Sequence, residues 1–183
     1  MRIIAGEMRS RTILAPKGTD TRPTLDRTRE SLFNIIAAWC PDARVLDLYA
    51  GSGALALEAI SRGAQSAVLC DSSREAARVI KANIEALREQ DRTRLLPMMD
   101  SQALALLGRE GARFDLVFLD PPYETKLLER SLELISQFDI LREHGIIICE
   151  SPQEKSLPDL SAPYGKYREY RYGKIKVTVY HRD

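Results

Sequence analysis

The sequence predicts an α/β fold built on a largely parallel sheet, and two observations carry that prediction. From Arg44 onward, short apolar runs alternate with segments of helical periodicity, which is the order of βαβ units. Residues 114–119 are apolar apart from Asp115 and are followed closely by two prolines. A short apolar run bounded in that way is typical of a strand buried on both faces of a parallel sheet.

The same patterning places the elements along the chain. A helix capped by Thr24 or Asp26 is expected to run to about Trp39, where Pro41 ends it. The alternation around Gly173 predicts a closing antiparallel hairpin. The predicted strands are 45–49, 66–70, 93–98, 114–119, 145–149, 167–172 and 174–180. The other predicted helices are 53–62, 73–89, a short one that includes 102–107, and about 125–137.

Length and composition indicate one globular domain. The chain has 183 residues, of which 44% are hydrophobic and 29% are charged. We expect residues 1–23 to form an arm that contributes little to the core, with 2–5 and 11–14 paired as a small hairpin, and 24–183 to form the core. The sequence shows neither a signal peptide nor a membrane span, so a cytoplasmic protein is expected.

The charge is spread unevenly along the chain. The net charge is +1, yet residues 1–30 carry seven Lys or Arg against four acids. The sequence therefore predicts that the basic excess sits at the N-terminal end, where it can contact the phosphates of an RNA backbone; the alternative is a solvated surface appendage. Arg29 and Glu30 are further candidates to face the site. The candidate RNA contacts are Arg9, Arg11, Lys17, Arg22 and Arg27.

The cysteines and histidines argue against a metal site or a disulfide framework. Cys40, Cys70 and Cys149 are odd in number, far apart and without a CxxC pair, which is typical of reduced, partly buried thiols. His144 and His181 have no neighbours with the spacing of metal ligands. No bound metal is expected.

Four carboxylates each follow a successive predicted strand. The carboxyl ends of parallel strands meet at one edge of a sheet, where ligands of open α/β sheets bind, so these side chains are expected to share one rim. A carboxylate before the first strand–helix turn is favourable beside an ammonium or sulfonium group. A carboxylate at the end of the next strand can accept hydrogen bonds from ribose hydroxyls. The four are Asp47, Asp71, Asp100 and Asp120.

The first strand–helix turn, at residues 47–56, reads D-L-Y-A-G-S-G-A-L-A. Gly51 and Gly53 permit a tight turn and close backbone approach, and the helix beyond them offers free N–H groups. With Ala56 they also satisfy the dinucleotide pattern G-x-G-x-x-G/A, and Asp71 falls 20 residues after Gly51. An NAD-dependent dehydrogenase therefore stays open on this motif alone.

The buried strand at 114–119 is followed by D-P-P-Y, residues 120–123. A carboxylate only accepts hydrogen bonds, so Asp120 and a proline carbonyl that no helix or ladder uses can hold both hydrogens of an amino group. Tyr123 offers a flat face on which a base can stack, worth roughly 1–3 kcal/mol. The combination suits an extruded nucleobase with an exocyclic NH2; the other interpretation is a Pro-rich turn in which Asp120 caps a helix.

In the order D-x-Y-A-G-S-G, an acid after the next strand and then D-P-P-Y, the chain resembles class I S-adenosylmethionine-dependent methyltransferases that act on amino groups. Its flanks are more specifically similar to the bacterial 16S ribosomal RNA guanine-N2 methyltransferases, the RsmD family. The matching stretches are M-R-I-I-A-G at 1–6, A-P-K-G at 15–18, T-R-P-T-L-D-R at 21–27 and R-E-S-L-F-N at 29–34. One departure is R-S-R at 9–11, because the family usually has glycine in this turn.

The resemblance implies a Rossmann-like methyltransferase fold with strand order 3-2-1-4-5-7-6, the last strand antiparallel and an N-terminal β-hairpin extension. It implies S-adenosyl-L-methionine as cofactor and, as substrate, a guanine N2 amine in 16S ribosomal RNA within an assembled or assembling small subunit. A monomer that does not bind membranes is expected. By position, the cofactor would be bound by Asp47, Tyr49, Ala50, Gly51, Ser52, Gly53, Asp71, Ser72, Asp100 and Ser101. The guanine would be held by Asp120, Pro121, Pro122 and Tyr123.

Two further functions stay open besides the dehydrogenase. One is an amino methyltransferase on another target, either adenine N6 in nucleic acid or a protein glutamine. Glutamine enzymes typically carry Asn where Asp120 stands, and a DNA enzyme usually needs an added target-recognition domain for which 183 residues leave no room. The other is a non-catalytic RNA-binding assembly factor on a methyltransferase fold, against which the intact motifs argue.

Overall fold

The computed structural model describes residues 1–18, 23–122 and 126–183, and in these ranges the chain forms one seven-stranded sheet with helices on both faces. The strands are β1 Arg44–Asp47, β2 Ser66–Cys70, β3 Thr93–Leu96, β4 Phe114–Leu119, β5 Leu141–Pro152, β6 Tyr164–Tyr172 and β7 Ile175–Arg182. The helices are α1 Pro23–Ile35, α2 Ala54–Ser61, α3 Arg74–Leu87, α4 Asp100–Arg109 and α5 Leu127–Gln137. Short 3-10 turns occupy Ala37–Trp39 and Gln90–Arg92.

The sheet has the strand order β3-β2-β1-β4-β5-β7-β6, which confirms the predicted topology. Strands β1 to β5 pair in parallel, and β7 is antiparallel to both of its neighbours. After β3 the chain crosses back over β2 and β1 to place β4 beside β1. The strand order therefore reverses between β1 and β4, and ligands of open α/β sheets bind in the crevice beyond such a switch point.

Strand β4 is buried on both faces, as its apolar sequence predicts. Leu116 and Phe118 face the core shared with α1, α2 and α3, whereas Val117 and Leu119 face the core shared with α4 and α5. The alternation follows from the two-residue period of a strand. Helices therefore cover both faces of β4.

Some element boundaries differ from those that the sequence predicts. The first helix ends at Ile35 and continues as a 3-10 turn to Trp39, so its last turn is tighter than an α-helix. Strand β5 begins at Leu141 and not at residue 145. Its register against β4 shifts between Leu141 and Ile146, an irregularity that a local sequence pattern does not encode.

The N-terminal arm is part of the core, so the expectation that it contributes little to the core was wrong. Ile3, Met8 and Ile13 are buried in the same cluster as residues of α1 and α2. The predicted hairpin is present, with Arg2 bridged to Thr12 and the Ile3 amide donating to the Arg11 carbonyl at 2.9 Å. An apolar side chain every five residues was too sparse a pattern to be recognised as core-facing.

Buried polar groups on α2 fix the arm in place. The Glu58 carboxylate, fully buried, accepts the amides of Ile4 at 2.8 Å and Ala5 at 3.0 Å. The Ser61 hydroxyl accepts the Met8 amide at 2.9 Å and donates to the Ala5 carbonyl at 2.6 Å. Each bond satisfies a backbone group that the arm buries on docking.

Arg29 does not face the rim of the sheet, which corrects its suggested role. Its side chain is 6% exposed, and its guanidinium donates to the Arg2 carbonyl at 2.5 Å and to the Asp26 carboxylate at 3.1 Å. Burial lowers the pKa of the Arg29 guanidinium. Arg29 therefore ties α1 to the first strand of the arm.

All three cysteines are free, as predicted, and they are fully buried where partly buried thiols were expected. In the described ranges, none of the helices combines the length and the apolar character that crossing a membrane requires.

We predict that Gly6→Ala destabilises the fold far more than Gly18→Ala does. Both glycines have positive φ, +84° and +79°, so each substitution strains the backbone by roughly 1–2 kcal/mol. At Gly6 the added Cβ would also lie 1.8 Å from the Ser61 carbonyl oxygen, whereas at Gly18 it meets none of the described residues within 4 Å. Urea denaturation should show a loss of about 2–5 kcal/mol for Gly6→Ala and about 1–2 kcal/mol for Gly18→Ala. Equal losses would mean that the arm is not docked on α2.

Candidate active site

The four carboxylates that follow successive strands lie at one rim of the sheet, as predicted. Asp47 is the last residue of β1, and Asp71 follows β2. Asp100 begins α4 after β3, and Asp120 follows β4. The rim includes the switch point between β1 and β4, so Asp47 and Asp120 border the crevice where the strand order reverses.

Asp47 is 1% exposed, and only one of its two carboxylate oxygens has a hydrogen-bond partner among the described residues. Its Oδ2 accepts the Ala56 amide at 3.3 Å, near the start of α2. Its Oδ1 is buried and has no hydrogen-bond partner among the described residues. Burial, with Asp71 nearby, raises the pKa of Asp47 to about 7. A buried carboxylate oxygen without a partner is costly, and a bound cation would remove that cost.

The glycine-rich turn between β1 and α2 packs closely against the core at Gly53 and has open space beside Gly51. Gly51 and Gly53 have φ of 57° and 81°. A Cβ at Gly53 would lie 3.0 Å from a Leu69 methyl carbon, whereas one at Gly51 would meet nothing within 4 Å in the part of the chain that the structure describes. The Gly51 amide donates to the Asp71 carboxylate at 2.9 Å. Gly53 is thus needed for packing, and Gly51 leaves space beside the rim.

Backbone hydrogen bonds fix the other residues of this turn and of the turn that follows β2. Ala50 donates its amide to the Cys70 carbonyl at 2.9 Å, and the buried Ser52 hydroxyl accepts the Ala54 amide at 3.3 Å. The other oxygen of Asp71 accepts the Ser73 amide at 2.9 Å, which places Ser72 at the exposed tip of the loop.

Tyr49 and Asp100 form a hydrogen-bonded unit with Ser131 of α5. The Tyr49 hydroxyl donates to the Asp100 carboxylate at 3.1 Å and lies 2.7 Å from the Ser131 hydroxyl. Burial raises the pKa of Tyr49, so the phenol keeps its proton. Asp100 is itself 7% exposed, and Ser101 beside it is half-buried. Tyr49 therefore orients the carboxylate at the start of α4.

Asp120 is partly buried beside Glu150, which the sequence reasoning missed. Leu119 pairs with Cys149, so the residues that follow each of them lie side by side. Burial, and after it the carboxylates of Glu150 and Asp47, raise the pKa of Asp120 well above its usual range. Pro121 is buried and Pro122 is exposed. Tyr123, predicted to stack a base, lies outside the described residues.

The candidate RNA contacts on the arm differ in their surroundings. Arg9 and Arg11 are exposed on the hairpin turn, and Arg11 donates to the Ala86 carbonyl of α3 at 2.5 Å. Ser10 between them has φ of 68°, so the chain makes with serine a turn that glycine adopts with less strain. Lys17 and Arg27 are exposed. Arg22 lies outside the described residues.

Three polar residues at or behind the rim were missed, and each had a signal in the sequence. Glu150 follows an apolar strand run, in the same position as Asp47 and Asp120. Ser131 and Asn83 are polar residues on the apolar stripes of α5 and α3. Asn83 accepts the Leu14 amide at 2.7 Å and donates to the carbonyls of Leu14 at 2.9 Å and Ser52 at 2.8 Å.

The cysteine at the rim is not placed to act as a nucleophile. Burial, followed by the nearby carboxylates of Asp71, Asp100 and Asp47, raises the pKa of Cys70 to about 12. Its thiol donates to the Met98 carbonyl at 3.2 Å. Cys70 is therefore a neutral, buried thiol at neutral pH.

This strand order, with a glycine turn after β1 and carboxylates along one rim, is the architecture of the Rossmann-like methyltransferases. A solved structure described as a putative methyltransferase, yhhF, from Escherichia coli superposes with a TM-score of 0.89 at 34% identity, over 100% of this chain and 98% of that one. The chain belongs to the family described as "Conserved hypothetical protein 95", which matches residues 1–181.

Two curated relatives span nearly the whole chain. A putative rRNA methyltransferase, YlbH, of Bacillus subtilis is 35% identical over 180 residues, which is 98% of each chain. Ribosomal RNA small subunit methyltransferase D of Escherichia coli K12 is 36% identical over 183 residues, covering 100% of this chain and 90% of that one. The methyltransferase family inferred from the sequence motifs is thus confirmed.

We predict that the ligand-free protein loses stability as the pH rises from about 4 to about 7, and that Asp47→Asn reduces this loss. The unfolded carboxyl titrates near 3.9, whereas that of native Asp47 titrates at about 7. The native state then binds more protons in this window, so the free energy of unfolding falls with rising pH. Asp120 contributes with the same sign.

Urea denaturation at several pH values would measure this. At pH 8 Asp47→Asn should exceed the wild type by an amount on the order of 1.4 kcal/mol for each unit of pKa shift that it removes. Asp91→Asn, which changes an exposed carboxylate, is the matched control and should keep the wild-type pH dependence. A wild-type profile that is flat or rising over this range would contradict the assignment.

Proposed function

We propose that this protein transfers a methyl group from S-adenosyl-L-methionine to the N2 amine of a guanine in 16S ribosomal RNA. One observation carries the proposal: two kinds of acceptor border the same switch point. Asp120-Pro121 can accept the hydrogens of an amine, and the buried Asp47 can accept a cation. The full-length similarity to ribosomal RNA small subunit methyltransferase D supports the RNA substrate.

The residues of the rim fit S-adenosylmethionine, and two features of this structure support that fit. The unpartnered Oδ1 of Asp47 suits the ammonium group of the methionine part. The open side of Gly51 leaves room for the cofactor beside the turn, which Ala50, Ser52 and Gly53 complete. When bound, the cofactor supplies an electrophilic methyl group.

The ribose and adenine would be bound farther along the rim. Asp71 has each oxygen engaged by one backbone amide, which leaves further lone pairs for ribose hydroxyls, with Ser72 nearby. Asp100 and Ser101 at the start of α4 would contact the adenine. Tyr49 would act as a positioning residue, because its hydroxyl holds the Asp100 carboxylate.

At the other side of the switch point, Asp120 would orient the substrate amine. The lone pair of an exocyclic guanine nitrogen is delocalised into the ring, so the free amine is a weak nucleophile. Asp120 and the carbonyl of Pro121 or Pro122 would accept its two hydrogens and aim the lone pair into the crevice, with Tyr123 stacking on the base. Most of the rate enhancement would then come from positioning.

The ionisation of Asp120 links the two halves of the site. Its pKa is raised by burial and by the carboxylates of Glu150 and Asp47, which disfavour a further negative charge. A cation bound at Asp47 offsets that repulsion and favours the carboxylate form, which is the form that accepts both amine hydrogens. Binding of the cofactor would thus prepare Asp120 for the guanine.

The exposed cations Arg9, Lys17 and Arg27, with Arg11 and Arg22, would contact RNA phosphates beside the rim. We propose that the substrate is an assembled or assembling small subunit, since ribosomal RNA is bound by proteins during assembly. The enzyme would work as a cytoplasmic monomer.

The test is transfer of labelled methyl from S-adenosylmethionine to a panel of acceptors, with the product nucleoside identified. The panel comprises small subunits lacking the modification, naked 16S RNA, large subunits, tRNA and duplex DNA. We expect N2-methylguanine in small-subunit RNA alone. N6-methyladenine or labelled protein would leave an amino methyltransferase with a different target, and cofactor binding without transfer would indicate an assembly factor.

We predict that Asp120→Ala lowers kcat by about 10²–10⁴ while binding of the cofactor is retained, because the variant loses the acceptor for the amine. Asp120→Asn should be impaired less than Asp120→Ala, because its remaining oxygen can still accept one hydrogen of the amine. Asp115→Asn is the control at the opposite end of the same strand, where its remaining oxygen can still accept the Arg44 amide, and it should keep full activity. Steady-state kinetics and calorimetric titration of the cofactor would measure both effects. Full activity in Asp120→Ala would disprove its role.

A further inference from the structure

One polar side chain, Asn83, lies among the apolar residues that α3 turns toward the core. The other buried positions of this helix are Ala76, Ile80, Ile84 and Leu87. Asn83 is 1% exposed, and burying an amide is costly unless it is hydrogen-bonded. Packing alone would favour an apolar side chain at this position, so the hydrogen bonds of Asn83 account for the polar residue.

Asn83 makes three side-chain hydrogen bonds, and all of them go to backbone groups outside α3. Its Oδ1 accepts the Leu14 amide at 2.7 Å. Its Nδ2 donates to the Leu14 carbonyl at 2.9 Å and to the Ser52 carbonyl at 2.8 Å. One side chain thus connects the N-terminal arm with the glycine turn between β1 and α2.

The three bonds allow a single orientation of the Asn83 amide. Its NH2 group faces two carbonyls, and its oxygen faces an N–H. If the amide were turned over, its oxygen would face two carbonyl oxygens and its NH2 group would face the Leu14 N–H, so all three bonds would be lost. Leu14 therefore orients Asn83, and Asn83 in turn directs a donor at Ser52.

The Ser52 carbonyl lies in a part of the turn that its own residues restrict little. Ser52 stands between Gly51 and Gly53, whose φ values are 57° and 81°. Glycine is conformationally permissive, so the orientation of the peptide units here depends on contacts with other elements. The Gly51 amide is held by Asp71 at 2.9 Å. The Ser52 carbonyl is held by Asn83.

A second bond holds the arm along the same helix. The Lys17 amide donates to the Glu75 carboxylate at 3.0 Å, in the first turn of α3. Asn83 and Glu75 are eight residues apart (83 − 75), which is roughly 12 Å along a helix. Residues 14–17 thus follow α3 toward its N-terminus, where the Ser73 amide donates to the Asp71 carboxylate at 2.9 Å. This part of the arm therefore leads to the rim where the cofactor would be bound.

We propose that Asn83 is a positioning residue for the cofactor, and that the arm, through Leu14, supports the cofactor site as well as carrying candidate RNA contacts. Asn83 acts through Ser52, because its amide holds the glycine turn in the geometry that binds S-adenosyl-L-methionine. A turn that is already held loses less entropy on binding, which lowers the Kd of the ligand. The inference rests on the proposed function in that it takes the glycine turn as part of the cofactor site.

The chain offers a matched control for a role that is confined to docking the arm. Ser61 of α2 is also 1% exposed. Its hydroxyl accepts the Met8 amide at 2.9 Å and donates to the Ala5 carbonyl at 2.6 Å. Both of these bonds reach the arm, and neither reaches the glycine turn. Ser61 therefore anchors the arm as Asn83 does, without the bond to Ser52.

The first test compares Asn83→Ala with Ser61→Ala at a temperature at which both variants are folded. Both lose a buried anchor of the arm, so both should unfold at lower urea concentrations than the wild type. Calorimetric titration with S-adenosyl-L-methionine separates them, because only Asn83→Ala releases the Ser52 carbonyl. We expect the cofactor Kd to rise roughly 10- to 100-fold in Asn83→Ala and to stay within about twofold of the wild type in Ser61→Ala.

Steady-state kinetics give a readout that a loss of folded protein does not reproduce. In Asn83→Ala the KM for S-adenosyl-L-methionine should rise with the Kd, while kcat at saturating cofactor stays near that of the wild type, because the bound cofactor itself holds the turn. A lower kcat with an unchanged KM would mean that the substitution only reduces the amount of active enzyme, which would contradict the assignment.

Hydrogen exchange in the wild-type protein tests the same link without a substitution, and it decides the question if Asn83→Ala does not fold. Saturating S-adenosyl-L-methionine should slow exchange of the Leu14 amide, which is bonded to Asn83, more than exchange of the Met8 amide, which is bonded to Ser61. Local opening of the arm at Leu14 is then linked to the cofactor site. Residue-resolved NMR would measure both rates.

Two results would overturn the inference. One is a cofactor Kd in Asn83→Ala that equals the Kd in Ser61→Ala, whether both are raised or both are unchanged. The other is equal slowing of exchange at Leu14 and Met8 when the cofactor binds. Both are distinct from failure of the proposed function, which would appear as a wild-type protein that neither binds S-adenosyl-L-methionine nor transfers its methyl group.

Discussion

A buried carboxylate that the protein leaves half satisfied, Asp47 at the end of β1, is the constraint on which the candidate site depends. One of its oxygens accepts an amide of α2, and the other has no partner among the described residues. Asp47 stands at the switch point, where the ammonium group of the proposed cofactor would satisfy the second oxygen. The raised pKa of Asp47 and its effect on Asp120 follow from the same burial. The buried Asp47 carboxylate therefore lowers the stability of the ligand-free protein, and the same carboxylate is the group that would bind a cationic cofactor.

The arm is connected to this site through buried polar groups. Glu58 and Ser61 of α2 satisfy the backbone of its first strand. Asn83 of α3 bonds both to Leu14 of the arm and to the Ser52 carbonyl in the glycine turn, so one side chain joins the arm to the candidate cofactor loop. Because a half-satisfied network would be costly, the arm and the turn are expected to keep their geometry together.

The distribution of charge separates the two tasks of the proposed enzyme. Carboxylates gather at the ends of β1 to β5, where a cation and an amine would be bound, and cations lie on the arm and on α1, where phosphates would be bound. A guanine could then enter an acidic crevice while its backbone stays on basic surfaces.

The sequence by itself determined the α/β class, most strand positions and the rim of carboxylates, because strand periodicity and strand-end position are local properties. It also pointed to Asp47, Asp120 and the glycine turn, since each directly follows a recognisable apolar run. Only the tertiary structure decided that Ile3 and Ile13 belong to the core. It also decided that Arg29 connects α1 to the arm and does not face the site, and that the Tyr49 hydroxyl is bonded to Asp100. The same holds for Glu150 beside Asp120. These relations join residues that are distant along the chain, and such pairs are set by strand order and packing, which no local pattern contains.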